Sequence, residues 1–304
     1  MNRKIYVYGS TCVDVIITLD HLPRTEEDMH PFGQSFRMGG CAYNVANILG
    51  KAGADVTFVT PLGMQGLFGP FVASHLKEEP WARPVMLPDR ENGCCYCLVE
   101  KDGERTFLSV HGAEYTFDPA WTGEVEADYL YVCGLEVEER TGEKLVSWLE
   151  TGAHGRIFYA PGPRGMRVDP ALTERLMRLK PILHLNEKEA MQMAGGDCPE
   201  AAAETLFART GQSVIVTLGA KGAMAYGAEG LIRCPGEAAD NVVDTIGAGD
   251  AHAGGILYAL SRGDSMAQAL RVAGAISKRV VEVPGSTLTL SQLQEALESA
   301  QTKP

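Results

Sequence analysis

Apolar side chains follow two rhythms along this chain. Ile5-Tyr6-Val7-Tyr8 is an unbroken apolar run stopped by Gly9, as in a buried strand. Residues 13–20 and about 29–37 alternate loosely and predict short strands. After Gly39-Gly40, the residues Ala42, Val45, Ala46 and Leu49 share one helical face, closed by Gly50 and Gly53. Residues 54–60 predict the next strand. Asp102-Gly103 predicts a hairpin turn between strands at 94–100 and 105–110. From there the pattern changes. Strands at 128–133, 156–160, 181–185 and 213–218 alternate with helices around 141–152, 170–178, 187–194 and 199–210. A long helix near Gly247, another across 265–282 and a last one from Ser291 follow. Alternation of this kind predicts an α/β fold with a mostly parallel sheet covered on both faces. The early strands and the hairpin break that rhythm and read as a small separate sheet. With no linker, repeat or low-complexity stretch, residues 1–304 read as one domain, with the small sheet (about 13–37 and 93–111) inserted in it.

Charge and composition narrow the field. The 304 residues carry a net charge of −12, which argues against non-specific binding to nucleic acid or to an anionic membrane. No apolar run reaches about 18 residues, so no membrane span is expected. The start is broken too soon by Asp14 to act as a signal peptide, and a cytoplasmic location is expected. Eight cysteines without a secretion signal predict reduced thiols serving as small hydrophobes. Cys94-Cys95-Tyr96-Cys97 invites a metal reading, yet a second ligand pair at zinc spacing is missing, and a strand is the better reading.

The stretch Val242-Val243-Asp244-Thr245-Ile246-Gly247-Ala248-Gly249-Asp250-Ala251-His252 carries the densest chemistry. A strand end runs into Gly-Ala-Gly and then a helix. Such glycines let N–H groups converge, and the helix start adds about half a positive charge. Gly247, Ala248 and Gly249 therefore read as an anion hole suited to a transferring phosphoryl group. Asp250 sits just inside it. Like charge keeps the carboxylate off the phosphate, but it can take a proton from an attacking hydroxyl. A plain Gly-rich turn with a dipole-favoured helical Asp is the bland alternative. His252 is turned about 200° from Asp250 around the helix and reads as packed or solvated.

These residues resemble a known family. Asp244-Thr245-Ile246-Gly247-Ala248-Gly249-Asp250 is similar to the C-terminal signature of the ribokinase family, the PfkB-type carbohydrate kinases. Four other stretches match in that family's order, and together they imply a ribokinase-like fold, with the small sheet as a lid. By the resemblance, Asp250 is the catalytic base and the glycine segment the anion hole. In Gly9-Ser10-Thr11-Cys12-Val13-Asp14 the family places a substrate-binding aspartate, here Asp14, able to accept bonds from two sugar hydroxyls. Gly39-Gly40-Cys41-Ala42-Tyr43-Asn44 is similar to the N-terminal signature, with Gly39 and Gly40 allowing close approach and Asn44 meeting another hydroxyl. Asn186-Glu187-Lys188-Glu189 matches the Asn-x-x-Glu near the phosphates, Glu189 reaching Mg2+ through water. Thr217, Gly219 and Gly222 fall in the nucleotide-binding loop. The cofactors implied are ATP, Mg2+ and a potassium-like K+ ion, the last held by Asp244, Ile246, Val280, Val283, Gly285 and Thr289.

The chain also departs from the family. An Asp-x-Asn-x-x-Arg segment is replaced by Tyr159-Ala160-Pro161-Gly162-Pro163-Arg164, where only Arg164 remains for phosphate or substrate contact. Glu136 is a further candidate for sugar contact. Members acting on phosphorylated sugars place a lysine where Cys41 stands, so an unphosphorylated small sugar is the expected substrate. Tyr96, Phe107 and His111 suit stacking on a sugar or nucleobase, lid packing or a dimer contact, and a lid with an exposed face suggests a homodimer. A nucleoside kinase on the same fold and a non-catalytic sugar- or nucleotide-binding regulator are the alternatives. The absence of Gly-x-Gly-x-x-Gly after the first strand disfavours a dehydrogenase.

Overall fold

The computed structural model describes residues 2–152 and 154–301. Its strands are β1 (Ile5–Tyr8), β2 (Cys12–Leu19), β3 (Gly33–Gly39), β4 (Val56–Gln65), β5 (Ala82–Glu91), β6 (Cys94–Glu100), β7 (Arg105–Val110), β8 (Tyr129–Cys133), β9 (Arg156–Ala160), β10 (Ile182–Asn186), β11 (Val214–Thr217), β12 (Gly222–Gly227) and β13 (Gly230–Pro235). The helices are α1 (Cys41–Lys51), α2 (Phe68–Leu76), α3 (Gly134–Glu138), α4 (Gly142–Leu149), α5 (Pro170–Arg178), α6 (Glu187–Ala194), α7 (Pro199–Thr210), α8 (Ala248–Arg262), α9 (Met266–Val281) and α10 (Leu290–Gln301). None of the described helices is long and apolar enough to cross a membrane.

Nine strands form the main sheet in the order β13-β12-β11-β10-β9-β8-β1-β4-β5. Seven run parallel, and β12 and β13 close one edge as an antiparallel hairpin. β1, β8 and most of β10 are buried residue by residue, as strands covered on both faces must be. One core lies under α1, α2, α8 and α9, and the other under α4 to α7. Helices α1, α8, α9 and α10 pack together through Ile48, Ala251, Ile276 and Leu293. At Gly255 an added Cβ would lie 2.7 Å from Ala273 Cα, so α8 approaches α9 to a distance only glycine allows.

The four-stranded sheet has the order β3-β2-β6-β7, with β2 and β6 parallel and the outer pairs antiparallel. It is the small sheet expected from 13–37 and 93–111. Helices α2 and α3 and two strand features escaped the hydrophobic pattern. β5 (ARPVMLPDRE) carries two prolines and faces the sheet edge, where missing ladder donors are tolerated. The β12–β13 hairpin is short and glycine-bounded, so its alternation is faint.

Candidate active site

Two helix N-termini and the start of one lid strand converge. Asn44 lies in the first turn of α1 and Asp250 in the first turn of α8. Asn44 Nδ2 donates to Asp250 Oδ2 at 2.8 Å, and Ser286 Oγ donates to Asn44 Oδ1 at 2.9 Å. The serine thereby fixes which end of the amide faces Asp250. Ser286 had no motif of its own and is visible only in the fold. Burial pushes the Asp250 carboxyl up to about 6, with the Asn44 amide and the Cys41 thiol holding it partly down. Cys41 opens α1 and faces this carboxylate.

Gly247 caps α8 with φ 74, in the left-handed region, and an added Cβ would meet Ser286 Cβ at 2.5 Å. Among the described residues, the N–H groups of Gly247, Gly249 and Asp250 meet no acceptor, and Ala251 makes the first full helical bond, to Gly247. An added Cβ at Gly249 would meet nothing within 4 Å, so the helix start is open on that side. Ser277 Oγ donates to the Ala248 carbonyl at 2.6 Å and pins the helix start.

Asp14, early in β2, is buried, and burial together with the charges of Cys95, Asp250 and Asp244 raises its carboxyl to about 7. Gly39 makes room for it: a Cβ there would lie 2.3 Å from Asp14 Oδ2. Gly40 sits at φ 103 against the Ser10 carbonyl. Asp14, Gly39, Asn44, Cys41 and Asp250 thus belong to one constellation.

Other expected residues are placed differently. Arg164, expected to be available for phosphate or substrate, makes a bidentate pair with Glu138 at 2.5 and 2.7 Å, which also holds the Glu138 carboxyl low. Glu136 is fully buried, accepts the Ser10 N–H at 2.9 Å, and is raised to about 7 by burial. Its Oε1 thereby shapes the β1–β2 turn, while its Oε2 is buried without a partner. Asn186 and Glu189 do act together, as a reciprocal cap of α6: Asn186 Oδ1 accepts Glu189 N–H at 2.8 Å and Glu189 Oε2 accepts Asn186 N–H at 3.0 Å. Asn186 is exposed, and Glu189 keeps a second oxygen, a donor set suited to Mg2+ through water. Thr217 ends β11, and Gly219 and Gly222 (φ 59 and 101) frame the turn into β12. His252 is buried against His184 at 2.9 Å, and burial keeps both imidazoles neutral. His111 pairs with Glu139 and stacks on Tyr115 with ring centroids 4.1 Å apart, so it serves lid packing, while Phe107 is half exposed.

Asp244 is 8% exposed and accepts N–H bonds from Ile246 at 2.8 Å and Gly285 at 3.1 Å. Arg105 Nη1 stands 3.0 Å from Asp244 Oδ1, so a guanidinium already supplies positive charge to the one carboxylate of the expected monovalent-cation set. Two more of that set are engaged elsewhere. The Val280 carbonyl accepts the Val283 and Glu282 amides, and Thr289 Oγ1 accepts the Gln292 N–H at the start of α10.

Free amides at a helix start, a carboxylate among them and a second carboxylate under a small sheet define a phosphotransferase-type site on a ribokinase-like fold. Residues 2–293 match the model of the pfkB family carbohydrate kinases, and the chain belongs to that family. It is 33% identical over 297 residues to the uncharacterized sugar kinase YegV of Escherichia coli (strain K12), covering 92% of this chain and 88% of that one. Ribokinase from Thermotoga maritima superposes with a TM-score of 0.82 at 22% identity over 97% of this chain and 99% of the other. Aminoimidazole riboside kinase from Salmonella enterica, solved with aminoimidazole riboside and an ATP analogue, does so with a TM-score of 0.79 at 23% identity, covering 97% and 99%. The protein is a carbohydrate kinase, of the sugar or nucleoside kinases that share this fold.

Proposed function

We propose that this kinase transfers the γ-phosphoryl group of ATP to a hydroxyl of a small unphosphorylated sugar, with Asp250 as general base. The observation that carries the reading is a half-buried Asp250, held at 2.8 Å by Asn44, in the turn that leaves the Gly247, Gly249 and Asp250 amides without acceptors. The acceptor hydroxyl lies between Asp14 and Asn44. As its oxygen bonds to phosphorus, its proton passes to Asp250 and the bond to the ADP oxygen breaks. The free amides take up charge on the transferred group. A carboxyl raised to about 6 suits a base, being ionised at neutral pH yet basic enough to accept a proton. Glu189 and Asn186 would hold Mg2+, whose charge would offset that of the triphosphate, and a K+-like ion at Asp244 would have to take the place of Arg105 Nη1, now 3.0 Å from Oδ1.

Cys41 stands where a phosphorylated acceptor would need a cation, and the carboxylates of Asp14 and Asp250 would repel such an acceptor. The exposed Phe36, Phe107, Leu108 and Val110 of the lid support a homodimer through that sheet. A panel of sugars and nucleosides, with ADP release as the readout and Asp250→Asn as the blank, tests the reading. Turnover of nucleosides alone would replace the sugar assignment, and equal turnover by Asp250→Asn would remove the base.

A further inference from the structure

The Cys94–Cys97 cluster lacks a metal-like partner in sequence, but the lid supplies one across the strands. β2 pairs with β6 in parallel, and Asp14 is the register partner of Cys95. Cys97, two residues on, points to the same face of the sheet as Cys95. Ligand atoms of Asp14, Cys95 and Cys97 all lie within 4.8 Å of one another, and the two sulfurs are 3.9 Å apart. Tetrahedral zinc with bonds of about 2.3 Å to sulfur needs sulfurs about 3.8 Å apart. Ser109 Oγ lies 3.6 Å from Cys95 Sγ, placed to donate to a thiolate and orient it. Cys12 Sγ stands 4.0 Å from Asp14 Oδ1, behind the cluster. Asp14 and Cys97 are buried and Cys95 is partly exposed, so three protein ligands would leave a fourth position open. All eight cysteines are free thiols.

We propose that Asp14, Cys95 and Cys97 form a binding site for a thiophilic divalent cation of the zinc class, and that filling it blocks the sugar. Two thiolates and a carboxylate select zinc over magnesium or calcium, which prefer all-oxygen shells. On binding, both thiols lose their protons to solvent and the metal takes the sulfur and carboxylate lone pairs, with no change of oxidation state. Metal on Asp14 withdraws the carboxylate that holds the acceptor, so ion and acceptor exclude each other. That consequence rests on the role given to Asp14 above; the binding itself does not.

Cobalt titration of the phosphine-reduced chain reads the site without any turnover. The expected result is the intense thiolate-to-cobalt absorption and the strong visible bands of a tetrahedral site, with one ion bound per chain and displaced by zinc. Cys95→Ser/Cys97→Ser should lose these bands, while Cys198→Ser/Cys234→Ser keeps them. Asp14→Asn, which preserves side-chain shape, should weaken cobalt binding at least about tenfold. Persistence of the bands in the Cys95/Cys97 variant, with its circular dichroism unchanged, would overturn the site. So would their absence from the unaltered chain. If the Cys95/Cys97 variant fails to fold, an unchanged cobalt affinity in Asp14→Asn overturns it instead. In turnover assays zinc should raise the KM of whichever acceptor is used and leave the KM of ATP alone. Cobalt bands without that competition would overturn the role of Asp14 and leave the metal site standing.

Discussion

Arg105, the first residue of β7, places Nη1 3.0 Å from Asp244 Oδ1 and so joins the lid to the loop that precedes α8. The same guanidinium reaches Thr245 Oγ1 and the Val243 carbonyl, each at 3.3 Å. On the opposite edge of the lid, Arg37 donates to the Pro284 carbonyl at 2.7 Å. Two lid arginines therefore grip the two loops that flank the anion hole, and the position of the lid is coupled to the geometry of the amides. Arg105→Ala should cost about 1–3 kcal/mol. That is less than for a stranded buried charge, because Asp244 keeps its bonds from Ile246 and Gly285. Thermal unfolding would read the loss, and faster amide exchange in β6 and β7 would show that the lid had loosened. An unchanged melting temperature and exchange pattern would mean that the contact carries no load.

Asp250→Asn keeps the shape of the side chain and removes the base. It should lower kcat by about 10²–10⁴ while ATP binding stays near that of the unaltered enzyme. Rapid-quench turnover and nucleotide titration check the two halves separately. Ser286→Ala frees the Asn44 amide to turn, and a smaller fall in kcat is expected from it.

The pH dependence follows from the same carboxyls. Asp250 works only as the carboxylate, and its value is raised to about 6 by burial; Asp14, raised to about 7, also has to be ionised to hold two hydroxyls well. The kcat/KM should thus rise with pH through this range and level off above it, the acid limb being steeper than about tenfold per unit. In Asp14→Asn one ionisation is gone and the limb should fall back toward about 6. A profile flat from pH 5 to 8 would contradict both roles.

Two glycine substitutions separate substrate space from protein packing. Gly249→Ala adds a methyl that meets no protein atom within 4 Å, and Gly249 is absent from the positive-φ positions. Folding stability should hold or rise by up to about 1 kcal/mol, while kcat drops because the methyl stands before the amides. Undiminished kcat would show that the phosphoryl group passes elsewhere. Gly39→Ala drives a Cβ into Asp14, 2.3 Å from its oxygen, and should raise the KM of the acceptor at least about tenfold with the KM of ATP unchanged.

The amino-acid sequence by itself determined the alternation of strand and helix, the separate small sheet and the run from Asp244 to Asp250. These signals are local: apolar spacing, glycine turns and a helix start are written in neighbouring residues. The tertiary structure decided which distant groups meet. Asn44 and Asp250 are 206 positions apart and touch because α1 packs on α8, and Ser286 orients Asn44 from a loop without a motif. Pairing across space also set Arg164 against Glu138, from another element. It set Asp14 beside Cys95 through strand register, which depends on how β2 and β6 lie together and leaves no trace in either segment alone.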